Sequence, residues 1–439
     1  MADHVAIVGG GFSGTMLAAQ LARAGASRVT LIERCKEPGR GLAYGAADPI
    51  HLLNVRSANM SAWPDEPDHF VRWLEARGAT AAAAGFAPRR LFGTYVQEQL
   101  AETAGKVEVL KADAEDLDVF ATGVRTRLTD GRSVDADAAV LAIGNLPPPA
   151  PPGIDPSRLQ PGSFFGDPWQ AGVAEGLGPD DAVLVIGTGL TMVDMVLLLD
   201  ERGFAGPILA VSRRGLTPRA HSAGPPPADR RQQAPGTNPS ALLREVRARG
   251  EAVGWRHAVD ELRPFTQQMW RDAPVDHRRQ FLRHLRPWWD VHRHRIAPEV
   301  HARVTAMIER GQLQVAAGKL MGGETLDRAA SVRWRPRGSD EVETFSAARI
   351  INCTGPEGDL PRSPEPLLRD LLEKGAIRPG PVGIGVDVDP EMRVIDAGGS
   401  ADPRLFAVGP LTRGALWEIV AVPDIRVQVQ KLARTLVAA

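Results

Sequence analysis

A glycine-rich turn near the start of the chain constrains the fold more than any other feature. The apolar run VAIV at residues 5–8 is typical of a parallel strand buried on both faces, and it leads directly into Gly9, Gly11 and Gly14. In the spacing G-x-G-x-x-G the first glycine permits a tight turn, the second lets the backbone approach a pyrophosphate, and the third allows close contact of helix and strand. The pattern therefore predicts a dinucleotide-binding βαβ unit.

The residues that follow complete this unit. A helical stretch starts with Phe12 and Ser13 and closes at Gly25, and the strand VTLIE then ends at Glu33, which Arg34 follows. The amides at the start of the helix attract a diphosphate, and a carboxylate at the end of the second strand can accept two hydrogen bonds from a ribose diol. We expect a bound dinucleotide rather than an empty turn.

A second copy of the pattern lies further along the chain. Gly187, Gly189 and Gly203 occur 178 residues after the matching glycines of the first copy, and Leu190 and Thr191 begin the predicted helix. Met192 stands where the third glycine would be, which should push the helix slightly away from its strand. The chain therefore contains two predicted dinucleotide-binding units.

The two units differ at the end of their second strand. Where the first ends in an acid, the second ends in Ser212, Arg213 and Arg214. A carboxylate would repel a 2′-phosphate, whereas a guanidinium can bind it bidentately. This favours NADPH over NADH as the second nucleotide, the alternative being that the two arginines form a solvated turn.

Composition excludes several classes of protein. The 439 residues suit two or three domains, and 52 Lys plus Arg against 53 Asp plus Glu argue against a surface built for nucleic acid. Two distant cysteines disfavour a disulfide framework, a Cys-rich zinc site and a redox-active Cys pair, and no metal site is expected. The first strand begins within a few residues of Met1, and no long apolar segment occurs. We therefore expect a cytoplasmic protein without a membrane partner.

Two nucleotide units, the acidic one first, resemble the two-dinucleotide-domain flavoproteins. AAVLAIGN (138–145) and ARIINCTG (348–355) resemble the crossings between their domains, and RLFAVGP (404–410) resembles their last FAD-domain strand. More narrowly, the chain resembles a bacterial FAD/NAD(P)-binding protein family that is distantly similar to N-hydroxylating and Baeyer–Villiger flavin monooxygenases. The segments that carry this likeness are residues 39–74, GDPW (166–169), IGTGLTMVD (186–194), SRRG (212–215) and residues 409–426.

The resemblance implies FAD in the first unit and NADPH in the second, with cofactor contacts beyond the glycine loops. Gly144 and Gly355 end the two crossings, and Gly409 approaches the flavin ribitol. Pro410 follows Gly409 where many relatives have Asp, so the usual ribitol carboxylate is missing. Arg40 would lie near the FAD phosphates.

The loop HLLNVRSANMSAWP (51–64) is the candidate for contacting the flavin ring. Asn54 offers a donor and an acceptor to its polar edge, and Met60 and Trp63 could cover an apolar face, although ordinary core packing explains them equally well. Trp417 and Glu418 are predicted to start the final helix, with its amide end facing the reduced flavin. No residue stands out as a general base, so the catalytic residues are unassigned.

The predicted fold class is α/β, with an inserted NAD(P) domain and a helical insert. The first FAD segment covers residues 1–165, the NAD(P) domain 166–354, and the second FAD segment 355–439, with the insert at about 225–305. Residues 213–303 hold 18 Arg, nine Asp or Glu and no Lys. Three interpretations remain open for this basic region: a cap that recruits an anionic substrate or NADPH, a solvated decoration, and a nucleic-acid surface, the last being least favoured because stacking aromatics on a strand platform are absent.

These features predict an FAD-dependent, NADPH-linked oxidoreductase, with a monooxygenase favoured. Its partners would be oxygen and a small molecule, anionic if the insert recruits it, and its oligomeric state is not predicted. Trp169 lies near the position of the Baeyer–Villiger fingerprint histidine, which favours N-hydroxylation or another oxygenation. The alternatives are an NADPH-dependent flavin reductase or dehydrogenase, and a non-catalytic redox sensor that binds FAD and NAD(P).

Overall fold

The computed structural model describes residues 2–103, 105–222, 229–326 and 329–438. The described residues form three sheets and a set of helices. The strands are β1 (His4–Val8), β2 (Arg28–Glu33), β3 (Val107–Lys111), β4 (Ala114–Phe120), β5 (Gly123–Leu128), β6 (Ser133–Ala136), β7 (Ala138–Leu141), β8 (Phe164–Phe165), β9 (Val183–Ile186), β10 (Ile208–Ser212), β11 (Leu313–Leu326), β12 (Ala329–Pro336), β13 (Glu343–Ala347), β14 (Arg349–Asn352), β15 (Arg393–Ile395) and β16 (Ala401–Ala407).

The helices pack on these sheets. They are α1 (Phe12–Ala24), α2 (Gly41–Gly45), α3 (His69–Glu75), α4 (Thr80–Ala84), α5 (Arg89–Ala101), α6 (Leu190–Glu201), α7 (Pro239–Val253), α8 (Trp255–Asp260), α9 (Thr266–Asp272), α10 (Val275–Gln280), α11 (Arg286–Arg293), α12 (Pro298–Glu309), α13 (Pro366–Glu373) and α14 (Val422–Ala438). A π-helical turn at Phe281–Leu285 joins α10 to α11. None of the helices in the described part of the chain has the length and apolar character needed to cross a membrane.

The first sheet has the strand order β15-β16-β7-β1-β2-β3, and all its pairings are parallel except β15 with β16. It takes strands from both ends of the chain, because β16 pairs with β7. Along β1, Val5 and Ile7 enter one core, and Ala6 and Val8 enter the other. The first core lies under α1, α5 and α14, and the second lies toward α13 and the small antiparallel sheet β4-β5-β6. The prediction of a strand buried on both faces is thus confirmed.

The second sheet has the order β13-β12-β11-β10-β9-β14-β8. Strands β8, β14, β9, β10 and β11 are parallel, and β12 and β13 extend it as an antiparallel edge. β8 pairs with β14, so residues 164–165 already belong to this sheet, one strand before the predicted boundary at residue 166. The fold class predicted from the sequence, α/β with two dinucleotide-type parallel sheets, is confirmed.

The basic insert is helical and connects β10 to α12. It contains the helices α7 to α11. Gly254, with a φ of 83°, separates α7 from α8, and the π-helical turn separates α10 from α11. Part of the predicted insert, residues 225–228, lies outside the described residues.

Candidate cofactor and substrate site

The first glycine loop has the geometry of a diphosphate cradle. Gly9 has a φ of 106°, and a Cβ there would lie 2.5 Å from the carbonyl oxygen of Ala142. A Cβ on Gly14 would lie 1.8 Å from the carbonyl oxygen of Gly9, so any side chain would force α1 away from β1. Gly11 is different, because its missing Cβ would meet only the Cα of Gly41, at 3.6 Å. Gly9 and Gly14 thus serve the fold, and Gly11 leaves space for a ligand.

Helix α1 starts at this loop without a side-chain cap, with Gly11 as its N-cap residue. Its first amides, from Phe12 and Ser13, therefore suit an anion. The side chain of Phe12 is directed into the core, 5.8 Å from the ring of Phe92, so only its backbone serves the cradle. These features fit the diphosphate of a dinucleotide.

Glu33 lies where the sequence predicted it, at the end of β2 beside the glycine loop. Its carboxylate is buried and accepts hydrogen bonds from the amides of Gly10, at 2.5 Å, and Cys35, at 2.7 Å. A carboxylate has about four lone-pair directions, so two remain for ribose hydroxyls.

The arginines near this acid are already paired. Arg34 makes a bidentate contact with Glu365, at 2.6 and 3.2 Å, which ties the end of β2 to the start of α13. Arg40 donates from Nε to Gln97, at 2.8 Å, and its Nη1 lies 3.0 Å from Glu37. As direct FAD contacts, both arginines remain predictions.

The second glycine loop repeats the geometry of the first. Gly187 has a φ of 114°, and a Cβ there would lie 2.2 Å from the carbonyl oxygen of Cys353, the counterpart of Ala142. Gly189 is the N-cap residue of α6 and has no side-chain cap, and a Cβ there would meet no atom of the described residues within 4 Å. Leu190 and Thr191 form the first turn of this helix. The space above the turn fits a second diphosphate.

Met192 occupies the third position of this motif and is fully buried. It packs in the core of the second unit with Val183 and Val185 of β9. A methionine is therefore accommodated at the position that Gly14 occupies in the first unit.

The end of β10 presents two basic side chains. Ser212 is used by the turn itself, because its hydroxyl lies 2.8 Å from that of Thr188 and accepts a hydrogen bond from the amide of Gly215. Arg213 is exposed and Arg214 is half-buried. Within the described ranges neither has a carboxylate within 4.0 Å, which leaves both guanidinium groups available to a phosphate.

Three predicted contact glycines lie beyond strand ends. Gly144 and Gly355 follow β7 and β14, have φ values of 83° and 89°, and border open space. Gly409 follows β16 with a φ of 72°, and a Cβ there would lie 2.3 Å from the hydroxyl of Ser13. Gly409 therefore brings the C-terminal segment against the start of α1.

Asn54 belongs to a buried polar network that the sequence did not reveal. Its side-chain oxygen accepts a hydrogen bond from Arg89, at 3.3 Å, and Arg89 also binds both carboxylate oxygens of Asp194 on α6. His51 Nε2 lies 3.0 Å from the carbonyl oxygen of Asp194, and His221 Nε2 lies 2.8 Å from that of Asn54. The loop proposed for the flavin ring is therefore fixed between the two nucleotide units.

Burial lowers the pKa of both histidines in this network. At His51 this effect outweighs the opposite effect of the Asp194 charge, and at His221 it outweighs that of the hydrogen bond to Asn54. Both imidazoles are thus neutral at pH 7. The sequence signal was present but indirect, since Asp194 lies in the segment 186–194 that carries the family resemblance.

Met60 and Trp63 lie in the first core. Met60 is 3 % exposed, and the indole N–H of Trp63 donates to Gln99 at 2.7 Å. The guanidinium of Arg23 lies 4.9 Å from the centre of the Trp63 ring. These contacts agree with the core-packing alternative, and a flavin contact by either residue remains a prediction.

The prediction that Trp417 and Glu418 start the final helix is wrong. The helix α14 begins at Val422, and Glu418 has a φ of 67°, which no right-handed helix contains. Instead, both side chains meet the basic insert. Trp417 stacks on Trp270 with ring centres 4.7 Å apart, and Glu418 accepts a hydrogen bond from Trp289 at 2.8 Å.

Glu418 is surrounded by basic side chains of the insert. His294 Nε2 and Arg293 Nε lie 3.3 and 3.4 Å from its oxygens. Burial alone would raise the pKa of Glu418, but His294, Arg293 and the hydrogen bond from Trp289 together lower it to about 2. The Glu418 carboxylate is therefore ionised at neutral pH.

Part of the insert's positive charge is paired with carboxylates. Among the described residues, these pairs include Arg231 with Glu245, Arg249 with Glu261, Arg263 with Asp424, Arg293 with Glu418, and Arg295 with Asp260. Two of these five pairs, Arg263 with Asp424 and Arg293 with Glu418, join the insert to the C-terminal segment. The insert is therefore packed against the rest of the protein.

Comparison with known proteins agrees with this geometry. Residues 6–146 match the family model described as FAD-NAD(P)-binding, so the chain carries an FAD/NAD(P)-binding domain. No curated protein matches the sequence.

Solved structures resemble the whole chain. The ornithine hydroxylase from Pseudomonas aeruginosa has a TM-score of 0.70 at 15% identity, covering 99% of this chain and 98% of that one. The ornithine N-hydroxylase from Kutzneria sp. 744, described with reduced FAD, NADP+ and L-ornithine, has a TM-score of 0.68 at 15% identity and covers 98% of each chain. The thioredoxin reductase of T. acidophilum has a TM-score of 0.57 at 11% identity, covering 100% of this chain and 98% of that one. At such identities these likenesses establish the shared fold.

Proposed function

We propose that this protein is an FAD-dependent, NADPH-linked oxidoreductase of the monooxygenase type that oxygenates a small molecule, with N-hydroxylation as the favoured reaction. The observation that carries the proposal is the pair of matching cradles, in which Gly9 and Gly187 bear the same relation to Ala142 and Cys353. The fold shared with the ornithine hydroxylases supports the monooxygenase assignment.

In this proposal the residues of the first unit bind FAD and those of the second unit bind NADPH. Gly11 and the free amides of α1 bind the FAD diphosphate, and Glu33 binds the adenosine ribose. Gly189 and the start of α6 bind the NADPH diphosphate, and Arg213 binds the 2′-phosphate. Bound FAD would supply electron transfer from NADPH to oxygen.

The docked insert is the segment suited to exclude water from such a site. Trp270 of α9 packs on Trp417 and donates its indole N–H to the carbonyl of Gly414, at 2.9 Å. This contact attaches the insert to the segment 414–417, a few residues after Gly409. A cap held here would protect the reacting groups from solvent.

A flavin reductase that passes electrons to a disulfide is less consistent with the chain. The two cysteines are free. Cys35 is exposed, and Cys353 is buried in the core of the second nucleotide unit. Burial raises the pKa of the Cys353 thiol, which keeps it protonated and unreactive. The shared fold with thioredoxin reductase therefore does not extend to a dithiol.

The test is optical and chemical. The purified protein should carry FAD, be reduced by NADPH in the absence of oxygen, and form hydroxylamines from amines when oxygen is admitted. If all the oxygen consumed is converted to hydrogen peroxide with every amine tested, the flavin reductase alternative is favoured. Failure to bind FAD at all would refute the proposal.

A further inference from the structure

The contact between the insert and the C-terminal segment contains polar atoms that have no partner. Trp417 is 2 % exposed, yet its indole N–H finds no acceptor in the described part of the chain. The buried Nε of Arg413 is likewise unpaired, and the Arg413 guanidinium lies 4.8 Å from the centre of the Trp417 ring. An unsatisfied buried donor costs about 1–3 kcal/mol, so two beside each other call for an explanation.

Arg413 also lacks a counter-ion. Across residues 2–103, 105–222, 229–326 and 329–438, no carboxylate lies within 4.0 Å of its guanidinium, and it donates no hydrogen bond. Burial, and after it the neighbouring charge of Arg286, lower the pKa of Arg413, which outweighs the opposite effect of Asp290 and Glu418. Arg286 itself is only loosely paired, since its Nε lies 3.4 Å from Asp290.

Unpaired acceptors lie in the same contact. Gln267 donates from its amide nitrogen to the carbonyl of Trp417, but its Oε1 is buried without a donor. Asp290 Oδ1 is also buried without a hydrogen bond from the described residues, and the imidazole Nε2 of His294 lies 4.0 Å from it. A water molecule could satisfy one of these atoms, but unpaired donors together with unpaired acceptors in one contact match a ligand that has both kinds of group.

The local backbone adds a second reason to expect a ligand. The π-helical turn Phe281–Leu285 places the Phe281 ring 5.5 Å from that of Trp417, and it leads directly into Arg286. Such π-helical turns occur often at functional sites. Arg413 itself lies four residues after Gly409, at the carboxyl edge of the first sheet, where ligands bind in folds of this class.

We propose that Arg413 and the indole N–H of Trp417 bind the carboxylate of the substrate, a small organic acid that also carries an N–H or O–H donor. Gln267 and Asp290 accept the hydrogen bonds of that donor. Arg286 adds positive charge beside the carboxylate. This assignment rests on the proposed function, because it identifies the substrate class of the same enzyme.

The experiment uses the protein with its FAD bound and three matched pairs of probes: glycine and glycinamide, succinate and succinamide, and benzoate and benzamide. Binding is followed by tryptophan fluorescence and by the shift in thermal midpoint. At least one carboxylate should bind saturably and its amide at least tenfold more weakly. The Arg413→Gln variant should lose at least tenfold in affinity for that carboxylate, and Arg413→Lys should keep part of it.

Two further variants separate a binding role from a structural one. Trp417→Phe keeps the ring and removes the N–H, so carboxylate affinity should fall several-fold while the thermal midpoint without ligand stays close to that of the wild type. Arg279→Gln, at a largely exposed arginine of the same insert, should bind as the wild type does. Equal carboxylate binding by the wild type and Arg413→Gln, or no saturable carboxylate among the probes, would overturn the proposal.

Flavin reduction by NADPH is measured on the same samples. If the wild type binds a carboxylate through Arg413 but is not reduced by NADPH, the proposed function fails and the binding site stands. If reduction is normal in Arg413→Gln and carboxylate binding is unchanged, the binding site fails and the proposed function stands.

Discussion

Arg89 binds Asp194 through two hydrogen bonds of 2.7 and 2.9 Å, joining α5 of the first unit to α6 of the second. Both side chains are largely buried, at 12 % and 8 % exposure. The pair therefore fixes the relative position of the two nucleotide units, and through Asn54 it also holds the loop proposed to contact the flavin.

Removing one partner of this pair should be costly. Arg89→Met leaves the Asp194 carboxylate buried without its cation, which we expect to lower the free energy of unfolding by about 3–5 kcal/mol. The double variant Arg89→Met with Asp194→Leu should recover most of that loss, because neither charge remains. Urea unfolding measures both, and a double variant no more stable than Arg89→Met would contradict the assignment.

The two open glycines should separate the two cofactors. A Cβ on Gly11 meets only Gly41 at 3.6 Å and one on Gly189 meets nothing, so both alanine variants should fold. We expect Gly11→Ala to lower FAD affinity by about tenfold or more, equal to ~1.4 kcal/mol, and Gly189→Ala to do the same for NADPH only. FAD absorbance and NADPH titration measure the two affinities. If both variants lose FAD and NADPH affinity to the same extent, the assignment of a separate cradle to each cofactor is wrong. Gly14→Ala is the contrasting variant, since its Cβ would collide with the backbone and should destabilise the fold.

Arg213 should set the preference for the phosphorylated coenzyme. Losing a charge-assisted hydrogen bond to the 2′-phosphate is worth about 1.5–3 kcal/mol, which is roughly tenfold to a hundredfold in NADPH affinity. Anaerobic flavin reduction by NADPH should therefore slow at subsaturating coenzyme in Arg213→Ala, while reduction by NADH stays the same. Arg158→Ala, at an exposed arginine paired with Glu324, is the control. Equal losses with both coenzymes would count against the 2′-phosphate role.

The ionised state of Glu418 should contribute stability at neutral pH. Its pKa is about 2 in the folded protein against an ordinary value of 4.5, so the carboxylate stabilises the fold above pH 4.5 and loses that contribution as pH falls toward 2. We expect Glu418→Gln to be less stable than the wild type by about 3 kcal/mol at pH 7, with the gap narrowing toward pH 3. The charged and polar groups around Glu418 include His294, Arg293, Trp289, Asp424 and Arg413. Urea unfolding at the two pH values measures the gap, and a gap that is the same at both would exclude an ionic role.

The cradles could be read from the sequence because their requirements are local. Positive φ values at Gly9 and Gly187, and close approach at Gly14, restrict these positions to glycine whatever the rest of the chain does. The acid at the end of β2 and the arginines after β10 follow from the same short units. The two parallel sheets and the order of the two units were therefore predictable.

The contacts that shape the candidate substrate site were decided by the tertiary structure. The sequence predicted a helix at Trp417 and Glu418, but the fold places Glu418 in a left-handed conformation. Both side chains contact residues of the insert that lie more than 120 positions earlier in the chain. Met60 and Trp63 show the same limit, since an apolar residue in a loop fits a core as well as a cofactor. Partners that are distant along the chain meet only when the sheets and helices pack, so local pattern indicates where a nucleotide binds but not which side chains meet across the units.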